Sequence, residues 1–237
     1  VTLIEGTKQI LAPYDYDMVQ ILHKELDDNG ITLHVSATVT AIESKQVKAV
    51  KDGKEFTVAA DAVVMAVGAR PKTELAKDAG LEIGTTGGIW VDHNYRTSDA
   101  DIYAVGDAIE SYNMLAHAPG RIALAGPAQR QARAAADHIC GMYNTNKGYI
   151  GSSCIKVFGQ NAACTGLNER EAKRLGYSYD SVMIFPMDRV GLMPGANYMV
   201  FKLVFEIPTG RILGAQAIGT GECDKRVDVI AAMITMG

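Results

Sequence analysis

The chain has 237 residues, of which 48% are hydrophobic and 21% charged. That length and balance allow a core without disulfide staples and exclude disordered, collagen-like and coiled-coil chains. Formal charge is -4 overall, yet residues 1–110 hold 10 basic and 18 acidic side chains against 13 and 9 in residues 111–237. So acidic a front half argues against nucleic acid as a partner, and no run approaches the roughly 18 apolar residues of a membrane helix.

In chain order, residues 1–5 (VTLIE) read as a buried strand with an acid at its carboxyl end. Residues 16–29 follow as a helix, with Met18, Val19, Ile21, Leu22 and Leu26 on one face and Gly30 as the stop. Residues 31–35 form a further strand, and residues 38–43, 47–50 and 55–58 a meander whose hairpin is marked by Asp52-Gly53. Residues 61–67 (DAVVMAV) read as another buried strand, ended at Gly68-Ala69-Arg70-Pro71 by proline. Residues 73–79 predict a short helix closed by Gly80, and residues 89–91 and 102–105 two short strands.

Residues 127–140 then predict a helix between Gly126 and Gly141, and residues 143–151, rich in Asn, Gly and Lys, the linker. Beyond it, strands are expected at 155–158, 161–165, 181–187, 198–206 and 211–218, a helix at 168–175 and a last helix from about Asp224. Cys140, Cys154, Cys164 and Cys223 show neither zinc nor disulfide spacing. They read as small buried hydrophobes in a reducing cytoplasm. The chain opens on Val1 inside a strand pattern and stops at Gly237 inside a helical one, which reads as an excised piece of a larger protein.

The most specific motif is a strand ending in Gly106-Asp107, where glycine lets backbone approach a ligand and the aspartate projects a carboxylate from a strand's carboxyl end. Upstream stand AVGARP and GGIWVD, and downstream ALAGPAQRQARAAADHI, TGLNEREAKRLG and GRILGAQAIGTGECDKRVDVIA. With VTLIEG and TSDADIYAVGD, these pieces resemble, in order and spacing, the FAD-dependent pyridine nucleotide disulfide oxidoreductases, in the branch of coenzyme A disulfide reductases and NADH oxidases or peroxidases.

The resemblance implies an α/β fold: a partial NAD-binding Rossmann-like domain at 1–68, a returning segment of the FAD-binding domain at 69–148, and an α+β dimerisation domain at 149–237. It also implies the site. Asp107 would hold the FAD ribityl chain, with Gly106 allowing the approach. Leu124, Ala125 and Gly126 would face the isoalloxazine from the positive end of the following helix. Glu5 would accept from the adenosine ribose and repel a 2′-phosphate, favouring NADH, with Lys8 close enough to offset the charge. Gly68 would lie near the nicotinamide, while the redox cysteine and both phosphate loops are expected outside this chain.

The implied activity passes hydride from NADH through FAD to a disulfide or persulfide, in a homodimer. Residues 192–195, Leu-Met-Pro-Gly, stand where coenzyme A disulfide reductases often carry Tyr-Tyr-Pro-Gly, which leans slightly toward an oxidase or peroxidase, while the GECDKRVDVIA stretch leans back toward the reductases. The piece alone should lack turnover. A reading from another class is a non-catalytic association module built on residues 155–237. His117, in a turn, reads as an exposed loop residue, and no metal or catalytic residue is expected here.

Overall fold

The computed structural model describes residues 1–143 and 146–237, so Asn144 and Thr145 of the expected linker lie outside the described residues. The chain divides into two compact units, Val1–Ala66 with Ser152–Gly237, and Val67–Gly151.

In the first unit, β1 (Thr2–Ile4) pairs in parallel with β2 (Thr32–His34) across α1 (Tyr16–Asp28), a right-sized β-α-β crossover. The α1 apolar face is as its spacing requires: Met18, Val19, Leu22 and Leu26 are buried. Past its end the Gly30 N–H bonds the Asp27 carbonyl and the Ile31 N–H the Leu26 carbonyl, with Gly30 at φ +73. The meander β3 (Ala37–Glu43), β4 (Gln46–Lys51) and β5 (Lys54–Ala59) turns at Asp52 (φ +52) and Gly53 (φ +73). Both central residues are left-handed, the turn that matches strand twist.

The rest of this unit is a five-stranded antiparallel sheet in the order β10-β11-β12-β9-β8. Its strands are β8 (Ser152–Val157), β9 (Gln160–Gly166), β10 (Tyr179–Ile184), β11 (Met199–Glu206) and β12 (Ile212–Gly219). In chain order the helices are α1, α2 (Glu74–Asp78), α3 (Ala125–Ile139), α4 (Glu169–Arg174) and α5 (Cys223–Met236). Strand alternation sorts the two sheet faces. Ala163 and Ala217, paired in register, meet Cys223 and Val227 of α5. Ala162, Cys164 and Ile218 point the other way and share a core with Tyr14, Met18, Val19, Leu22 and Leu26. Tyr14 and α1 are therefore packed against strands more than a hundred positions further along the chain.

The second unit holds α2, a small hairpin of β6 (Ser111–Asn113) and β7 (Ala118–Gly120), and α3. The hairpin was not legible in the sequence. Residue Tyr149 of the expected linker is fastened to it: the Tyr149 N–H bonds the Tyr112 carbonyl and the Met114 N–H the Tyr149 carbonyl, each at 2.9 Å.

Three expectations are corrected. Residues 61–67 form no strand, and Val64 and Val67 are 89% and 83% exposed, because no described strand offers them a ladder. Residues 89–91 and 102–105 make single bridges, Ile89 to Ile83 and Ile109, and Tyr103 to Arg96, in place of continuous pairing. Of the cysteines only Cys164 and Cys223 are buried; Cys140 and Cys154 are exposed.

Candidate functional site

Residues Gly106–Ala108 form one turn of 3-10 helix, entered from an extended Val105. Gly106 takes φ +81, so the constraint there is conformational: an added Cβ would come no nearer than 3.8 Å to Ala128, but few side chains tolerate that φ. The Gly106 N–H donates to Gln131 Oε1 at 2.7 Å, and Gln131 Nε2 donates to Ser111 Oγ at 3.3 Å. Gln131 is buried on α3. Two turns further along the same helix face, His138 Nδ1 lies 2.7 Å from the Tyr103 hydroxyl. Helix α3 thus clasps the segment from Tyr103 to Gly106 at both ends, with two side chains that sequence reading passed over as ordinary helix positions.

This clasp leaves Asp107 exposed, its carboxylate bonded to no described residue. It lines a cavity of about 370 Å³ whose wall also carries Arg70, Lys72 and Arg121. One free carboxylate among three cations suits a ligand with both hydroxyl and anionic groups.

The wall reaches Ala123, and Leu124 follows as the extended N-cap of α3, without a side-chain cap. The helix starts two residues earlier than its proline suggested. Ala125 and Gly126 are exposed in its first turn, so their N–H groups point out with no intrahelical acceptor. Such an end attracts electron-rich or anionic groups. Gly68 has φ +90 and open space around it, directly before the cavity residues Ala69 and Arg70. Gly106, Asp107, Leu124, Ala125, Gly126 and Gly68 therefore belong to one unit.

Glu5 belongs to the other. It follows β1, half-buried, and its Oε1 accepts the Thr7 N–H at 2.7 Å, leaving Oε2 free. Lys8 is turned over the ring of Tyr16, 5.1 Å from its centroid, and makes no ion pair with Glu5. His117 is exposed, at φ +49.

The sequence reading missed the densest polar cluster. Lys202 of β11 stands in register with Gln216 of β12 on the face toward α1, and its side chain is 5% exposed. Its Nζ lies 3.2 Å from Asp15 Oδ2, 2.8 Å from Asp17 Oδ2 and 2.5 Å from Glu169 Oε1. Burial alone would lower the lysine's pKa, but the carboxylates outweigh it and hold the ammonium charged well above its usual range. A lysine interrupting the apolar run 198–205 was the available signal. Among the described residues no cluster of His, Cys, Asp or Glu could hold a metal ion, and no helix is long and apolar enough to cross a membrane.

Comparisons with known proteins agree over the whole chain. The family described as pyridine nucleotide-disulphide oxidoreductase matches residues 1–132, and its dimerisation domain matches residues 152–237. A curated relative, the CoA-dependent NAD(P)H sulfur oxidoreductase of Pyrococcus furiosus, is 32% identical over all of this chain and 53% of its own length. Among solved structures, the NAD-dependent persulfide reductase from A. fulgidus superposes with TM-score 0.93 at 37% identity, covering 100% of this chain and 44% of that one. Reduced CoADR-RHD from Bacillus anthracis does so with TM-score 0.95 at 38% identity, covering 100% and 42%. The chain spans about half the length of the curated relatives it matches. With more than half of its residues matched by the first of these descriptions and most of the rest by the second, the chain belongs to the pyridine nucleotide-disulphide oxidoreductase family.

Proposed function

We propose that this chain is the part of an FAD-dependent NADH oxidoreductase that grips the flavin's ribityl chain and ring edge, recognises the nicotinamide nucleotide and forms a homodimer, in an enzyme reducing a disulfide or persulfide. The observation that carries the reading is the free Asp107 carboxylate, held by the Gln131 clasp in a cation-lined cavity next to the uncapped start of α3. Sulfur acceptors are supported by the names of the relatives, a sulfur oxidoreductase and a persulfide reductase. Bound FAD would supply a two-electron carrier between nicotinamide and acceptor.

The chain's own residues do the following. Asp107 accepts hydrogen bonds from ribityl hydroxyls, with Gly106 allowing the backbone close. Leu124, Ala125 and Gly126 lie along the ring, and the open N–H groups of Ala125 and Gly126 stabilise negative charge there. Arg70, Lys72 and Arg121 offset phosphate charge. Gly68 admits the nicotinamide end. Glu5 accepts from the adenosine ribose through its free oxygen and repels a 2′-phosphate, selecting NADH. No catalytic residue is assigned within this chain. The division we propose is nucleotide-binding residues 1–68, flavin-contacting residues 69–148 and dimerising residues 149–237, in a protein of the cytoplasm.

An oxygen-reducing NADH oxidase or peroxidase is the second reading. It is favoured by the Leu192-Met193-Pro194-Gly195 segment, whose Leu192 is 95% exposed where a tyrosine would offer a hydroxyl. The test is acceptor competition in the enzyme carrying this chain, purified in the presence of FAD. NADH consumption that follows coenzyme A disulfide or persulfide supports the first reading. Consumption that follows oxygen alone supports the second, and a colourless dimer without flavin leaves only an association module.

A further inference from the structure

Between β1 and α1, residues 6–15 cross from Glu5 to the start of the helix without regular structure. Near Glu5 the crossing is held by local bonds. The Ser36 N–H donates to the Thr7 carbonyl at 2.7 Å, Thr7 Oγ1 lies 2.8 Å from the Gln9 carbonyl, and buried Gln9 Nε2 donates to the Tyr14 carbonyl at 2.8 Å.

Its far end is held by the distant sheet and α4. Asn168 Nδ2 donates to the carbonyls of Ala12 and Pro13, each at 3.1 Å, and Arg170 Nη2 to that of Ala12 at 2.8 Å. Gln216 and Asp15 bond twice: the Asp15 N–H to Gln216 Oε1 and Gln216 Nε2 to Asp15 Oδ2, both at 2.7 Å. Lys202 closes the cluster against Asp15, Asp17 and Glu169.

Asn168, Lys202 and Gln216 are all buried. A buried ammonium and two buried amides contribute less to stability than apolar packing of the same volume. What they supply is direction: Asn168 donates to the Ala12 and Pro13 carbonyls, Gln216 pairs with the Asp15 N–H and carboxylate, and Lys202 holds that same carboxylate. Leu11, inside the same crossing, takes the left-handed φ of +52 that a leucine avoids. The crossing is thus pulled into one shape from outside itself, and that shape sets where the Glu5 carboxylate and its Thr7 partner sit.

We propose that Asn168, Lys202 and Gln216 are positioning residues for the nicotinamide nucleotide: the dimerisation sheet shapes the crossing that presents Glu5, and so sets both affinity for NADH and discrimination against NADPH. The proposal rests on the reading of Glu5 given above.

Asn168→Asp is the selective variant. It keeps the cap of α4, where Asn168 Oδ1 accepts the Glu171 N–H at 2.9 Å, and replaces the donor to Ala12 and Pro13 with a carboxylate oxygen that those carbonyls repel. Gln216→Leu is the second. In the flavin-loaded enzyme, amide hydrogen exchange over residues 7–14 should rise roughly tenfold while the β3 to β5 meander is unchanged. The KM for NADH should rise by about tenfold with kcat held within about twofold, and the NADPH to NADH ratio of kcat/KM should increase. Unchanged exchange over residues 7–14 overturns the proposal, as does faster exchange with an unmoved NADH KM. If Gln216→Leu does not fold, Asn168→Asp decides. Glu5→Ser, run alongside, separates the two claims. Altered selectivity there but not in Asn168→Asp overturns the positioning alone, and unaltered selectivity in Glu5→Ser overturns the reading of Glu5 and the proposal with it.

Discussion

Asp107 and Gln131 act at the same turn in different ways, and substitution separates them. Asp107→Ala in the flavin-loaded enzyme removes charged hydrogen bonds worth about 1.5 to 3 kcal/mol each, so flavin should dissociate at least tenfold more readily. Retention equal to wild type, followed by flavin fluorescence, would overturn the ribityl assignment. Gln131→Leu leaves Asp107 in place but orphans the Gly106 N–H, so flavin retention should fall by a smaller factor while thermal stability drops by about 1 to 3 kcal/mol. Among the cysteines, burial first, then the neighbouring Cys154 and the Asp224 and Asp188 carboxylates, push the Cys223 thiol up to about 11. The folded chain therefore holds this proton where the unfolded chain releases it, and stability present below pH 9 is lost as pH rises toward 11. Cys223→Ala should flatten that alkaline decline in denaturant titrations, and in the wild type a thiol reagent at neutral pH should modify Cys140 and spare Cys164 and Cys223.

At the scale of elements, α1 and α5 cover opposite faces of one sheet with different success. Helix α1 buries Met18, Val19, Leu22 and Leu26 and half-buries Ile21, so Leu22→Ala should cost about 2 to 5 kcal/mol in unfolding free energy. Helix α5 buries Cys223, Val227 and Ile234 but leaves Val229 and Met233 55% and 51% exposed on its outer side. These two, one helical turn apart, are the residues with which to probe a homodimer. Met233→Lys should convert the assembly to monomer in light scattering without loss of secondary structure, and a wild-type monomer at micromolar concentration would refute the dimer.

Both helices, the meander and all five sheet strands were legible because each carries its own period and its own turn residues. The runs 61–67 and 102–105 misled because a strand is a relation between two segments, and apolar composition says nothing about whether the second is at hand. At the candidate site, Gly106 and Asp107 were legible since a left-handed glycine and a free acid are visible as residue types. Gln131 was not: a buried glutamine and a surface one look alike in a helix. Lys202 and Gln216 bond partners 185 and 201 positions away, so a local window can show a lysine out of place in its apolar run but not what it bonds.

For the whole molecule, the shared core of the first unit has a direct test. Tyr143 is 91% exposed and the run 61–67 is exposed throughout. Limited chymotrypsin should cut after Met65 and Tyr143, and the pieces ending at residue 65 and beginning at residue 144 should still co-elute, because Met18, Leu22 and Leu26 remain packed on Ala162, Cys164 and Ile218. Separate elution would show that the two segments do not hold each other. The same packing bears on how the protein is made. At roughly 5 to 20 residues per second of synthesis, α1 leaves the ribosome about 10 to 40 seconds before the strand bearing Gln216, 201 positions later. Until residues 162–164 and then Ile218 are made the stripe lacks most of its cover, so the nascent chain should be a strong client of ribosome-associated chaperones, and slowing translation between residues 30 and 150 should lower the soluble yield.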